Sequence, residues 1–196
     1  KMSNSGALFD LNKLNDISKD VLLKISAADL FDFLKAWAEE FKPELLHIFA
    51  DRAYLEKILD IGRHDERNPR KDHIYAQQII QNISYFFDDL FEIEDDFPQE
   101  AAGDVQAIIE KYLATYDHKD DQEVWFGKIR QIADELGYAV KPKDFKKNPD
   151  QYKGHVGHVS TVIRVALMGR QQSPDVWEIQ QILGEERTRA RLSKFL

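Results

Sequence analysis

The sequence predicts an all-α protein built as two consecutive helical bundles, residues 1–90 and 91–196. Apolar residues recur three and four apart, the spacing of a helix face laid on a core, as in Val156, Val159, Ile163, Ala166 and Leu167. Start and stop residues bracket such runs: Ser26 before 27–41, Pro43 at a first turn, and Gly137, Gly169 and Gly184 behind helical stretches. Between Leu11 and Ile58 no strand-like alternation survives. A chain of 196 residues can bury roughly 70% of its unfolded surface, so its core requires neither metal nor disulfide. It contains no cysteine, which excludes disulfides, thiolate zinc sites and a cysteine nucleophile.

In chain order, 11–25 is the first predicted helix, with Asn15 or Asp16 as its cap. Ser26 caps the second, 27–41, whose Leu30, Phe31, Leu34, Trp37 and Phe41 form an apolar stripe suited to core packing. Pro43 starts a third at a position where its missing N–H does no harm. The polar stretch 61–72 breaks the pattern, and Asn68-Pro69 favours extended backbone. Asp72 is placed to cap the next helix, 73–91, which carries Ile79, Ile80, Ile83, Phe86, Phe87 and Leu90 on one face and joins the two bundles. An acidic linker, 92–100, follows. Helices are predicted over 105–116 and 124–136, the latter ended by Gly137.

The connector 141–153 is basic, holds two prolines, and interleaves Phe145 and Tyr152 with lysines. Such a composition follows a nucleic-acid backbone and stacks bases. Beyond it, Gly169 suits the left-handed position that closes a helix, and Ser173-Pro174 opens another, the Ser hydroxyl capping and Pro in the first turn. Val176, Ile179 and Leu183 share one face of that last helix. The turn Arg170-Gln171-Gln172 thus stands beside an exposed helix N-terminus, whose free amides suit a phosphate or a base edge.

The formal net charge is −8, and its distribution is uneven. Residues 88–125 hold two basic side chains against thirteen acidic ones, whereas 126–196 hold thirteen basic against eight acidic. Phosphate would be drawn to the second region; both regions also read as solvated helix faces. A second basic cluster, Arg63, Arg67, Arg70 and Lys71, lies in the 61–72 loop. It reads equally as a polyanion contact or as solvated charge paired with Asp65 and Glu66. His155 and His158 have metal-like spacing without a third ligand nearby, so no metal site is expected. No Gly-rich phosphate loop, nucleophile elbow or catalytic carboxylate pair occurs. No apolar run is long enough for a membrane span or signal peptide, so a cytoplasmic location without membrane attachment is expected. Residue 1 is Lys, as expected of a fragment or processed chain.

The stretch 164–192, RVALMGRQQSPDVWEIQQILGEERTRARL, resembles the anticodon-binding end of bacterial-type glutamyl-tRNA synthetases, class I aminoacyl-tRNA synthetases. There an Arg-x-Ala-Leu-x-Gly helix end precedes a Ser/Thr-Pro turn and a Leu-Gly-Lys/Glu-Glu close. Phe9-Asp10-Leu11 with Lys13-Leu14-Asn15 is similar to that family's Phe-Asp-x-x-Lys-Leu block, and 68–72, NPRKD, to its Arg-containing linker. The three blocks stand in the family order. Lys1-Met2-Ser3-Asn4-Ser5 is not read as the adenylation loop of such enzymes: Asn4 replaces its second lysine, and these residues contain no nucleotide-binding fold.

The resemblance implies an anticodon-binding region whose partner is a glutamate-accepting tRNA, with no cofactor and no catalytic residue in these residues. The intact enzyme would attach glutamate to tRNA with ATP and Mg²⁺, and the chain would be monomeric. Arg70 would face the first anticodon base; Arg164, Ser173, Pro174 and Val176 would line the pocket for the second and third. Arg67, Lys71, Lys146, Lys147 and Arg170 are candidates for RNA backbone contact. The alternative from another class is a helical protein-interaction module whose basic loops bind an acidic partner.

Overall fold

The computed structural model describes residues 10–63 and 69–196, and these are helical with no strand among them. The chain divides into two compact units, Lys1–Ile83 and Ser84–Leu196.

The first unit contains α1 (Leu11–Leu22), α2 (Ala27–Phe41), α3 (Arg52–Asp60) and α4 (Ala76–Ile83). Asp10, not Asn15 or Asp16, caps α1, accepting from the Lys13 amide at 3.2 Å. A carboxylate one residue before the first turn reaches an orphan amide, which one inside the helix cannot do. Ser26 caps α2 as expected. Of its stripe, Leu30, Phe31 and Leu34 are buried, Trp37 partly so, and Phe41 exposed. Pro43–Phe49 winds as a 3₁₀ helix rather than joining α3, because Asp51 caps a fresh start at Arg52. Phe31 meets Phe49 edge-on at 5.5 Å, so α2 and this segment close one core with α3. The helix expected over 73–91 begins only at Ala76 and tightens to 3₁₀ at Ser84–Phe86. Asp72 therefore lies too far ahead to cap it.

The second unit contains α5 (Val105–Thr115), α6 (Gln122–Glu135), α7 (Pro142–Lys147), α8 (Val156–Met168), α9 (Val176–Leu183) and α10 (Glu185–Leu192). Helix α8 is apolar nearly all round, and eight of its residues are buried, from Val156 to Met168. A helix of that pattern belongs at the centre of its unit, and α5, α6 and α10 pack against it. Gly169 ends it at φ 73°, donating to the Val165 carbonyl at 2.7 Å. The Arg191 guanidinium, 2% exposed, donates to the carbonyls of Tyr85 and Leu167 and to Asp88, each at 2.7 Å, and thereby ties α10 to the end of α8.

The acidic stretch 92–100 is not a linker. Its Glu94 and Asp95 amides donate to the Gly169 carbonyl at 2.8 and 2.9 Å. A Cβ on residue 169 would stand 1.9 Å from the Glu92 carbonyl oxygen, so glycine is required by close approach as well as by φ. The 141–153 connector likewise acquires order: α7 is followed by a 3₁₀ turn at Pro149–Gln151.

Candidate nucleic-acid interface

The turn between α8 and α9 is shaped by the acidic segment. Arg170 pairs with Glu94 at 2.5 Å, and the Gln171 amide donates to Asp95 at 2.7 Å. The Gln171 side chain donates to the Asp96 carbonyl at 3.0 Å, while Gln172 remains exposed. Among the residues expected to meet phosphate here, Arg170 is thus held by a carboxylate, 18% exposed at its side chain.

Helix α9 begins two residues later than the Ser-Pro pattern predicts. Its cap is Asp175, which accepts from the Glu178 amide at 3.0 Å; Ser173 instead donates its hydroxyl proton to the Pro174 carbonyl at 2.8 Å. Pro174 consequently precedes the cap, and Val176 is the first helical residue, buried against the core. The reason is local: Asp175 and Glu178 stand in capping-box register, and the second Asp175 oxygen accepts from Gln122 on α6 at 3.0 Å. Ser173 offers no comparable pair of contacts.

Between α6, α8 and the start of α9 lies an open cavity of about 440 Å³, lined by Gln122, Glu123, Trp125, Phe126, Ser160, Arg164, Asp175 and Val176. It falls in the usual range for ligand pockets, roughly 300–1,000 Å³. Arg164 and Val176 are brought together here, as the sequence implied; Ser173 and Pro174 are neighbours along the chain and do not line it. Arg164 donates to the Gln171 carbonyl at 3.2 Å, while its Nε is buried without a hydrogen-bond partner among the described residues. Burial lowers its proton affinity from the ordinary guanidinium range, and nearby Asp175 works in the opposite direction. The side chain remains cationic. A partly desolvated cation on the cavity wall favours a ligand with electron-rich edge atoms.

The aromatic wall escaped sequence reasoning. Trp125 donates from Nε1 to the Tyr112 hydroxyl at 2.7 Å, and that hydroxyl donates to Gln180 Oε1 at 2.9 Å. Burial raises the Tyr112 pKa, keeping its proton in place. This dry network joins α5, α6 and α9 and fixes the cavity's wall. Phe126 carries the Arg130 guanidinium over its ring, 4.5 Å from the centroid. The available signal was the adjacent Trp125-Phe126 pair near the start of α6: one ring turns into the core and the next to the rim.

The remaining predicted cations are distributed differently. Lys146 and Lys147 are exposed in the last turn of α7. In the first unit, Lys71 pairs with Asp20 at 3.0 Å, and Arg70 is ion-paired with Asp72. Arg63 is not part of a surface cluster, because it caps the end of α1, donating to the carbonyls of Leu22, Leu23 and Ile25. Arg67 lies outside the described residues, as do Asp65, Glu66, Asn68 and the block through Phe9. His155 and His158 cap α8 reciprocally, with rings stacked at 3.9 Å. Among the described residues no group of three or more His, Cys, Asp or Glu could hold a metal, and no helix is long and apolar enough to cross a membrane.

Residues 143–196 match the family model described as anticodon binding domain. Along its whole length the chain is 56% identical to a glutamate–tRNA ligase of Acetivibrio thermocellus, covering 36% of that protein. It is 39% identical to one of Clostridium perfringens strain SM101, again over its full length and 36% of the relative. The glutamate–tRNA ligase of Sorangium cellulosum is 38% identical over the full chain and 35% of its own length. The chain therefore spans about a third of the length of these relatives. Its cavity joins α8 and α9, inside the matched domain, to α6, which precedes it. The chain is thus similar to glutamate–tRNA ligases from end to end, and its residues 143–196 match the anticodon binding domain model.

Proposed function

We propose that this chain reads the anticodon of a glutamate-accepting tRNA on behalf of a glutamate–tRNA ligase. The observation that carries the reading is the cavity around Arg164, where a partly buried guanidinium sits beside an aromatic wall. An unstacked base supplies what that arrangement lacks, a flat face for the rings and acceptors for the cation. Arg164 and Val176 would take the second or third anticodon base, with Ser173 and Pro174 shaping the rim. Lys71, Lys146 and Lys147 would meet backbone phosphates, together with Arg67; Arg170 could join them only by leaving Glu94.

Arg70 would face the first base. Cytosine offers two neighbouring acceptors on its pairing edge, which a guanidinium fork engages together, whereas uracil places an N–H at the ring position. Such a mismatch is worth roughly 1–3 kcal/mol. Activation of glutamate with ATP and Mg²⁺ would belong to the rest of such an enzyme. The monomeric state and a cytoplasmic location complete the proposal.

The test is a titration of the chain with glutamate-accepting tRNA and with tRNA of another specificity. The cognate tRNA should bind more tightly, and Arg164→Gln should remove about tenfold of that preference while leaving the unfolding midpoint within a few degrees. Equal binding to any polyanion would support the alternative, an interaction module for acidic partners, and overturn the reading.

A further inference from the structure

We infer that Asp72 is a positioning residue for Arg70, aiming its guanidinium for base recognition and restraining it from engaging phosphate. The inference rests on the reading of Arg70 given above and adds a residue to it. The geometry comes from three sides. The Arg70 amide donates to the Gly62 carbonyl at 2.9 Å, closing the polar loop at its base. Gly62 stands at φ 67°, and a Cβ there would lie 3.3 Å from Arg70 Cβ, so the Arg70 stem runs along the bare face of a glycine. Asp72 Oδ2 then binds Arg70 Nη2.

Asp72 is itself held. Its carbonyl accepts from the Gln78 side chain at 2.7 Å, and Gln78 in turn accepts from the Ile74 amide at 3.0 Å. The other carboxylate oxygen, Oδ1, is buried without a hydrogen-bond partner among the described residues and faces His73 Nδ1 at 3.8 Å. That ring nitrogen is likewise buried and unpartnered. One carboxylate oxygen is thus set in a dry wall and the other is turned to Arg70.

A carboxylate on one amino group of the guanidinium, with the stem laid along Gly62, narrows the directions in which the fork can point. Part of the rotamer freedom that base binding would otherwise remove is already restricted. The same carboxylate offsets the positive charge, which weakens sequence-independent attraction to phosphate. Loss of Asp72 should therefore act in opposite directions on specific and non-specific binding, a pattern that a merely structural residue would not produce.

The experiment uses the full chain and two transcripts of glutamate-accepting tRNA differing only in cytosine or uracil at the first anticodon position. Binding is measured for wild type, Asp72→Asn, Asp72→Glu, Gly62→Ala and Arg70→Gln at several salt concentrations. Wild type should prefer cytosine by about tenfold or more. Asp72→Asn should reduce that preference to about threefold or less, with uracil-transcript affinity unchanged or raised. Its salt slope should steepen by about one unit of phosphate contact, roughly 0.9. Asp72→Glu should restore part of the preference, and Gly62→Ala should lower it with Asp72 still present. Retained preference in Asp72→Asn, or equal weakening on both transcripts, would overturn the positioning role. If Arg70→Gln keeps the wild-type preference, or wild type has none, the reading of Arg70 fails and the role of Asp72 falls with it. Loss of preference in Arg70→Gln alone would reject Asp72 and leave the reading of Arg70 standing.

Discussion

His73 is a buried histidine whose protonation is strongly disfavoured by the fold. Its side chain is 11% exposed, and burial is the chief cause that lowers its pKa to about 4, with Asp72 opposing and Arg70 and Arg63 adding to the shift. The unfolded chain binds the proton near the ordinary value of about 6.5, so between about pH 6.5 and 4 unfolding takes up a proton that the fold refuses. Stability is therefore full above that window and declines as pH falls through it, by up to about 3 kcal/mol. His73→Phe should flatten this decline in denaturant unfolding measured between pH 7 and 4. An equally steep decline in the variant would assign the acid sensitivity to other groups. The same burial explains why His73 was not legible in the sequence as more than the first residue of a helix: Arg63, ten residues earlier, comes close only when the chain folds.

At the scale of single elements, the helix starts separate what a pattern can tell from what contacts decide. Ser26 before α2 and Gly169 after α8 were readable, since each has one role that its neighbours do not contest. Ser173 was not, because Asp175 two residues on makes both a cap and a bond to α6. Asp175→Ala should cost about 1 kcal/mol through the lost cap, with a further loss for the Gln122 contact. Ser173→Ala, which removes only a bond to the next carbonyl, should stay within about 0.5 kcal/mol. Chemical unfolding of the two variants side by side distinguishes them, and the reverse order would restore Ser173 as the cap. The cavity shows the same division. Arg164 and Val176 could be placed from the family resemblance, but Trp125, Phe126 and Gln122 reach the site through packing of α6 on α8, which sequence spacing does not encode.

For the molecule as a whole, net charge is a poor guide to nucleic-acid binding. Many of the basic side chains in 126–196 serve the fold. Arg189 donates to the Tyr116 carbonyl at 2.9 Å, Arg187 to that of Phe86 at 3.0 Å, and Arg191 and Arg170 are held as described. Lys128 pairs with Asp120, and Lys153 with Asp104 at 2.7 Å. Several cations of the second unit remain exposed, Lys141, Lys143, Lys146 and Lys147 of the connector among them, and about four phosphate contacts would use these. Binding of tRNA by this chain should accordingly show a shallow salt dependence, a slope of about −4 or less in magnitude, at roughly −0.9 per phosphate contacted. Titrations from 50 to 200 mM salt measure it, and a slope near −10 would mean that internal pairs open on binding. The two-bundle organisation was legible from helix periodicity, while the boundary expected after residue 90 and the division at Ile83/Ser84 differ by seven positions. The helical pattern runs on across that division, so periodicity had no mark to place there.

The contact between the acidic segment and Gly169 has a consequence for the order in which the turn between α8 and α9 takes shape. Helix α8 rests on neighbours four residues apart and can form early, whereas the bonds that shape 169–171 reach back some 75 residues, to Glu94, Asp95 and Asp96. Closing so long a loop is slow relative to winding a helix. The turn is therefore a product of tertiary assembly, and its own residues do not dictate its course. A peptide spanning 156–184 would contain every side chain of the turn and lack its conformation. The turn comes into being only when the second unit has closed, so its shape reports on completed folding of that unit.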